Sequence, residues 1–307
     1  MRPLRGIILK LCSVMVFIVM SSLIKATAAH VPAGEAVFFR SFFAFPVILA
    51  WLTMQGQLRT GFHAVNPLGH VWRGVMGTTA MGMGFAGLGY LPLPEVTAIG
   101  YASPLMVVVF AAMFLGEEVR AFRIGCVALG LTGVLIVLSP RLTLASGSVA
   151  SQAATLGAIL VLCGALFAAL AQVFVRKLVL TETTTAIVFY FSTTSTVLSL
   201  ITIPFGWVFP SGSEAALLVG AGLLGGIGQI LLTSCYREAD ASLVAPFDYA
   251  SMLFALLIGY FIFGEVPSLT MLEGATLVVT AGILIIWRER KLGIKREKAR
   301  TAMSPQG

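Results

Sequence analysis

The stretch GYASPLMVVVFAAMFLGEE, which starts at Gly100, returns as DYASMLFALLIGYFIFGEV, which starts at Asp248. The register holds without a gap, because 148 residues separate Tyr101 from Tyr249 and the two glutamates near the ends of the stretches are equally far apart. The pattern indicates a tandem duplication. If each copy holds an odd number of membrane spans, the second copy enters the bilayer in the opposite orientation, which is the arrangement of many alternating-access carriers.

Composition restricts the chain to the class of polytopic membrane proteins. Of its 307 residues 58% are hydrophobic and 11% are charged, and the mean hydropathy is +0.97. A typical soluble domain carries about 25% charged residues. A spanning helix needs about 20 apolar residues. We therefore expect about ten spans and little room for a soluble catalytic domain.

Apolar runs bounded by charge, proline and glycine predict an all-α integral membrane protein with ten transmembrane helices, arranged as two inverted five-helix repeats. The first copy, residues 1–140, and the second copy, residues 141–290, are separated at the polar stretch that begins with Arg141; a basic tail, residues 291–307, follows. The predicted spans are residues 7–24, 33–54, 72–90, 96–115, 122–138, 156–175, 185–209, 215–235, 241–263 and 269–287.

Basic residues predict the orientation, because Lys and Arg in short loops stay on the cytoplasmic side. With the amino terminus inside, all Lys and Arg residues except Lys25, Arg40 and Arg141 fall at the cytoplasmic ends of spans or in the tail. Both termini are therefore expected in the cytoplasm. The net charge of +7 is concentrated in the tail, so we interpret it as an anchor near anionic lipid and expect no nucleic-acid partner.

Charged residues near the start of the chain are candidates for the transport path, because charge at membrane depth is costly. Lys25 ends the first span, and Glu35 and Arg40 lie early in the second, about one and a half turns apart. We expect Lys25 and Arg40 to form a basic outer gate or substrate contact, with Glu35 as the local counter-ion. The alternatives are snorkelling of Lys25 to the interface and a structural salt bridge of Arg40.

Polar side chains of the second copy supply further candidates. Gln172 and Gln229 could bond a polar uncharged ligand or a neighbouring helix, and Asp248 is the strongest candidate for a buried acid. Tyr101 and Tyr249 could stack on a planar ligand or serve packing. The glutamates at positions 117 and 265 end their spans, where ion pairing near a loop is expected.

Prolines in the duplicated stretches and glycines in the neighbouring spans suggest moving helices. Pro104 and Pro246 are candidate hinges, because proline frees a helical carbonyl and permits a kink. Glycines crowd the third and eighth spans, where small residues allow close helix approach. We expect these two spans to pack at the centre.

At these residues the sequence resembles the EamA-type family of the drug/metabolite transporter superfamily. The resemblance rests on Lys25, Pro32 and Arg40 in the first two spans and on the FLGE and IFGE ends of the duplicated stretches. It implies a ten-helix carrier of the bacterial inner membrane that moves small organic molecules and has no bound cofactor.

Within that family the opening LRGIILK…IKA…PAGEAVFFRSFFAFP resembles the riboflavin importers of the RibN type. This implies uptake of riboflavin, a neutral vitamin. Trp72, Tyr101 and Tyr249 are compatible with stacking on its ring system, and Gln172, Gln229 and Asp248 with binding its hydroxyls.

Functions other than riboflavin uptake predict different sequence patterns. The nearest alternative is an exporter of amino acids or related metabolites on the same fold. An enzyme would need an acid/base or nucleophile constellation, a channel would need a filter motif, and a metal site would need clustered ligands; the sequence has none of these patterns. Asp248 and Glu35 are the acids expected to couple protons, if coupling occurs. The oligomeric state is left open.

Overall fold

A computed structural model describes residues 3–56, 62–115, 121–143, 149–238 and 245–303. Within these ranges all regular structure is helical and no strand is present. The helices are α1 Pro3–Thr27, α2 Ala33–Phe42, α3 Phe45–Met54, α4 Pro67–Tyr90, α5 Leu93–Gly100, α6 Ala102–Leu115, α7 Ala121–Thr143, α8 Val149–Leu178, α9 Thr184–Leu200, α10 Gly212–Glu238, α11 Ala250–Phe263 and α12 Leu269–Met303, with short 3-10 helices at Ile203–Phe205 and Ala245–Tyr249.

Among the described residues, each predicted span overlaps a helix or two consecutive helices. Seven segments of the described residues are long and apolar enough to cross a membrane, and two shorter apolar helices, Thr184–Leu200 and Phe247–Phe263, accompany them. The third predicted span lies within α4. The chain is therefore a multi-pass membrane protein, while the number of ten crossings stays a prediction.

The predicted end of the seventh span is wrong. The seventh span was expected to run over residues 185–209, but α9 ends at Leu200. Pro204 follows it, and Gly206 takes the left-handed backbone conformation with a φ of 98°, which ends helical continuity. Helix α12 continues without a break to Met303, past residue 291, where the basic tail is predicted to begin. The tail stays a prediction.

The fourth predicted span is broken between α5 and α6 at Tyr101. Pro104 has no N–H to donate to the carbonyl of Gly100, so one backbone hydrogen bond of a continuous helix cannot form at this point. The predicted hinge Pro104 therefore lies at a break in the helix. Pro246, the second predicted hinge, lies in the 3-10 helix that leads into α11.

The described residues that follow the tyrosine form matching helices in the two copies of the duplicated stretch. Helix α6 runs from Ala102 to Leu115 and α11 from Ala250 to Phe263, so each has 14 residues and begins directly after the duplicated tyrosine. Helix α1 packs on α10 and α8 packs on α4, while α2 packs on α9 and α7 on α12. Each contact within this set therefore joins the two halves of the chain.

Glycines permit the closest of these contacts. A Cβ atom on Gly222 of α10 would lie 2.7 Å from the carbonyl oxygen of Phe39 in α2. Such a distance is below van der Waals contact, so only glycine allows the two backbones to approach this closely. At this position a glycine-bearing span packs closely on another helix; that the third and eighth spans pack at the centre stays a prediction.

Candidate functional site

The tyrosines of the duplicated stretches lie against each other. Their ring centroids are 5.0 Å apart with an interplanar angle of 67°. Ser251 Oγ donates to the carbonyl oxygen of Asp248 at 2.6 Å, which leaves it to accept from Tyr101 Oη at 2.6 Å. Tyr101 is 5% exposed. The rings therefore pack on each other rather than both lining an open cavity.

Asp248 forms an ion pair that sequence reasoning did not predict. Its Oδ1 lies 2.6 Å from Lys10 Nζ on α1, and the same ammonium lies 3.5 Å from Tyr236 Oη. Lys10 is 2% exposed, whereas the Asp248 side chain is 35% exposed. Lys10 was grouped with the cytoplasmic anchor residues, and the structure instead places it inside the bundle as the counter-ion of Asp248.

Lys25 lies at the other end of α1 and pairs with Glu265 rather than with the expected Glu35. The Nζ–Oε1 distance is 2.9 Å, and Lys25 also donates to the carbonyl oxygen of Leu91 at 2.7 Å. Glu265 Oε2 accepts from the backbone N–H of Leu93 at 2.9 Å. The pair joins the end of α1, the start of α5 and the end of α11, so the expectation of ion pairing at Glu265 is confirmed. The equivalent Glu117 lies outside the described residues.

Glu35 is 2% exposed, and its carboxylate bonds to a backbone group. Its Oε2 accepts from the N–H of Val208, in the segment before α10, at 3.0 Å. Glu182, just before α9, has a matching role that was missed in the sequence: its Oε1 accepts from the N–H groups of Val65 and Asn66 at the start of α4. Both acids therefore hold the entry of a helix from the other half of the chain.

Arg40 of α2 and Arg73 of α4 converge on one aromatic ring. Their Cζ atoms lie 5.3 Å and 3.7 Å from the ring centroid of Phe191 in α9. Arg40 is 3% exposed and Arg73 is 7% exposed. Nε and Nη1 of both residues are buried without a hydrogen-bond partner, and Arg40 Nη2 makes one long contact of 3.5 Å with the carbonyl oxygen of Gly225.

Arg73 is the member of this buried cluster that sequence reasoning missed. It was assigned to the cytoplasmic end of a span predicted to start at residue 72, but α4 starts at Pro67, with Asn66 Oδ1 accepting from Gly69 N at 2.9 Å. Asn66 followed by Pro67 is a helix-start signal, so Arg73 could have been placed about one and a half turns inside the helix.

The remaining candidates differ in their exposure. Trp72 is 46% exposed, and Gln172 is also exposed, on α8. Gln229 is 8% exposed in α10. Their role in binding a ligand stays a prediction, whereas Arg40 and Arg73 meet at the ring of Phe191.

Among the described residues, the side chains of Lys10 and Lys25 each pair with a carboxylate, whereas the buried guanidinium groups of Arg40 and Arg73 have no carboxylate within ion-pair distance. No group of three or more metal-ligating side chains occurs among the described residues. The arrangement can bind and orient a ligand through fixed hydrogen-bond donors, and its ion pairs can open or close contacts between helices.

Comparisons with known proteins agree with this architecture. The model of the EamA-like transporter family matches the chain twice, at residues 4–139 and 155–288. A solved crystal structure superposes with a TM-score of 0.67 over 94% of this chain and 98% of that chain. Its sequence identity is 19%, so the likeness shows the fold alone.

Relatives with transporter names cover most of the chain. The pseudopaline exporter CntI of Pseudomonas aeruginosa strain UCBPP-PA14 is 32% identical, over 91% of this chain and 95% of its own length. The S-adenosylmethionine uptake transporter of Rickettsia felis is 27% identical over 87% of each chain, and the riboflavin transporter of Rhizobium johnstonii is 29% identical over 85% and 83%. The two family matches, with these relatives, show that this protein belongs to the EamA-like transporter family.

Proposed function

We propose that this protein carries a small organic metabolite across the bacterial inner membrane by alternating access between two inverted five-helix repeats. The observation that carries the proposal is the direct contact of the duplicated tyrosines, Tyr101 and Tyr249, which joins the two halves of the chain. In inverted-repeat carriers the substrate path lies at the repeat interface.

The direction of helices supports ten crossings. Lys10 and Lys25 of α1 pair with Asp248 and Glu265, in the same order along the chain. Helices α1 and α11 are therefore parallel. A first and a ninth span must run in the same direction, since both have odd numbers, and with a cytoplasmic amino terminus both run outward.

Riboflavin uptake is one substrate proposal. It is supported by the resemblance of the opening stretch to RibN-type importers and by a relative named as a riboflavin transporter. Asp248 and Glu35 are the acids proposed for proton coupling. Relatives named for S-adenosylmethionine uptake and pseudopaline export cover as much of the chain, so the name of a relative does not select the substrate.

Transport of an anionic metabolite, including export, is the second candidate. The observation that favours it is the buried pair Arg40 and Arg73, for which a neutral vitamin supplies no counter-charge. The alternative of a metabolite exporter on the same fold therefore has a specific feature in its favour.

The experiment is uptake of labelled riboflavin by a bacterium that can neither synthesise nor import it, with and without the expressed protein. Accumulation that unlabelled riboflavin competes away supports riboflavin import. No accumulation, with the protein shown to be in the membrane, refutes riboflavin import and directs the work to inside-out vesicles and a panel of carboxylate and phosphate metabolites.

A further inference from the structure

The guanidinium groups of Arg40 and Arg73 are both buried in the helix bundle, and no carboxylate of the described residues neutralises them. Arg40 and Arg73 both lie against the ring of Phe191, so their Cζ atoms are no further apart than the sum of the two ring distances, 5.3 Å and 3.7 Å. Within the described residues, neither guanidinium is within ion-pair distance of a carboxylate. Two like charges in a protein interior repel each other, and removal from water penalises both.

The other buried or half-buried cations of the described chain are neutralised. Lys10 pairs with Asp248, Lys25 pairs with Glu265, and Arg141 donates twice to Glu95, at 3.0 Å and 2.7 Å. A purely structural arginine would be expected to follow the same pattern. Glu35 lies on the same helix as Arg40, yet its described hydrogen bond is with the backbone N–H of Val208.

We propose that Arg40 and Arg73 bind an oxyanion group, a carboxylate or a phosphate, of the transported metabolite. The proposal rests on the carrier function proposed above and narrows its substrate class. The four buried nitrogens without partners are fork donors of the kind that match the oxygens of a carboxylate or a phosphate. An anion bound to these nitrogens would supply both the missing charge and the missing acceptors.

The site joins the two halves of the chain. Arg40 is the eighth residue of α2, and Phe191 is the eighth residue of α9. The residues that follow them, Ser41 and Ser192, are also buried, and neither hydroxyl has a hydrogen-bond partner. The two helices therefore present matched positions with different chemistry, as expected for an asymmetric ligand at a repeat interface.

Glycines leave room for the guanidinium groups. A Cβ atom on Gly77 would contact Arg73 Nη1 and would lie 2.8 Å from Phe191 Cε2. A Cβ atom on Gly225 would lie 2.8 Å from Arg40 Nε. Each arginine thus rests against the bare backbone of a glycine, and a larger residue at either position would displace it.

The proposal distinguishes among candidate substrates by charge. Riboflavin is neutral and would leave both arginines unpaired. S-adenosylmethionine carries a carboxylate, as do amino acids, and phosphorylated metabolites carry the alternative oxyanion. The substrate class is therefore a small metabolite with a carboxylate or phosphate group.

The test is anion binding to the purified full-length protein in detergent, followed as the shift of its thermal unfolding midpoint in tryptophan fluorescence. The probes are sodium succinate and inorganic phosphate, each against sodium chloride at the same ionic strength, so the two arms distinguish carboxylate from phosphate. The variants are Arg40→Gln and Arg73→Gln. The control is Arg5→Gln, which changes an exposed arginine that pairs with Glu238 at 3.3 Å.

We expect at least one anion to raise the unfolding midpoint of the wild-type protein and of Arg5→Gln. The apparent affinity for that anion should be at least tenfold weaker in Arg40→Gln and in Arg73→Gln. No response of the wild-type protein to either anion would overturn the proposal. An equal response in all four proteins would overturn it too, because the effect would not depend on Arg40 or Arg73.

A second variant covers the case in which the single substitutions fail to fold. The double variant Arg40→Met with Arg73→Met removes both buried charges and keeps side-chain bulk. In anion-free buffer we expect its unfolding midpoint to equal or exceed that of the wild-type protein, with the anion response lost. A lower midpoint or failure to fold would assign the arginines a structural role and overturn the proposal.

The experiments distinguish a wrong assignment of the anion site from a wrong assignment of the carrier function. Anion binding by the purified protein without transport of any tested metabolite would leave the site standing and refute the carrier. Transport by a protein that does not respond to either anion would refute the site and leave the carrier.

Discussion

Tyr101 and Tyr249 occupy the same position in the two copies of the duplicated sequence, yet they are bonded differently where they meet. Tyr101 Oη is 2.6 Å from Ser251 Oγ. Ser103, the residue equivalent to Ser251, has a buried hydroxyl without a partner. The contact between the copies is thus two-fold in sequence and asymmetric in hydrogen bonding, as expected if the two copies exchange conformations during transport.

The first prediction uses this asymmetry. Ser251→Ala removes the acceptor of a buried tyrosine hydroxyl and should lower stability by about 1 kcal/mol. Ser103→Ala removes a hydroxyl without a partner and should leave stability unchanged or raised. Thermal unfolding of the two purified variants compares them directly, and equal losses would contradict the asymmetry.

The second prediction concerns Asp248 and Lys10. Asp248→Asn leaves the buried ammonium of Lys10 without its counter-ion and should cost about 2 kcal/mol, at the lower end for a buried pair because Asp248 is partly exposed. Adding Lys10→Met should recover most of the lost stability. Transport should stay low in the recovered double variant if Asp248 also couples protons. Full transport by the double variant would remove Asp248 from the transport mechanism.

The third prediction is a double-mutant cycle on Lys25 and Glu265. Lys25→Met and Glu265→Gln should each lower the unfolding midpoint, and the double variant should lose less than the two single losses added, by about 1 kcal/mol or more. The physical reason is that both single changes break the same 2.9 Å ion pair. Additive losses would show that the pair contributes no coupling between α1 and α11.

The fourth prediction concerns Gly77. Gly77→Ala places a methyl group against Arg73 and Phe191, and the arginine must move, since the end of its side chain is the more flexible of the two. We expect roughly tenfold weaker substrate affinity, equal to about 1.4 kcal/mol, with a smaller change in unfolding midpoint. Gly125→Ala is the matched control, because no atom lies within 4 Å of the added methyl group. Similar affinity for both variants would contradict the placement of Arg73 at the site.

Local patterns predicted the elements of the fold with good success. Apolar runs predicted where helices lie, and Pro104 predicted the break that separates α5 from α6. The end of α9 was misplaced because the apolar run continues past Leu200, while Pro204 and Gly206 end the helix regardless of hydropathy. The family resemblance, carried by a few residues in each half, is confirmed.

The candidate site was predicted less completely. Glu35 was chosen as the partner of Lys25 because the two are close in sequence, but the partner is Glu265, near the opposite end of the chain. Arg73 was excluded as a cytoplasmic anchor because its helix was started five residues late. Its nearness to Arg40 depends on the packing of α2 and α4 around Phe191, which no local pattern contains.

The sequence by itself determined that this protein is a helical membrane protein, that it is duplicated, and which family it belongs to. These properties follow from local hydrophobicity and from motif spacing, since a bilayer requires each segment to satisfy its own backbone hydrogen bonds as a helix. Only the tertiary structure decided which carboxylate neutralises which lysine, and that Arg40 and Arg73 meet at Phe191 without one. The free energy of a buried charge depends on the atoms packed around it, and those atoms come from helices that are far apart in the chain.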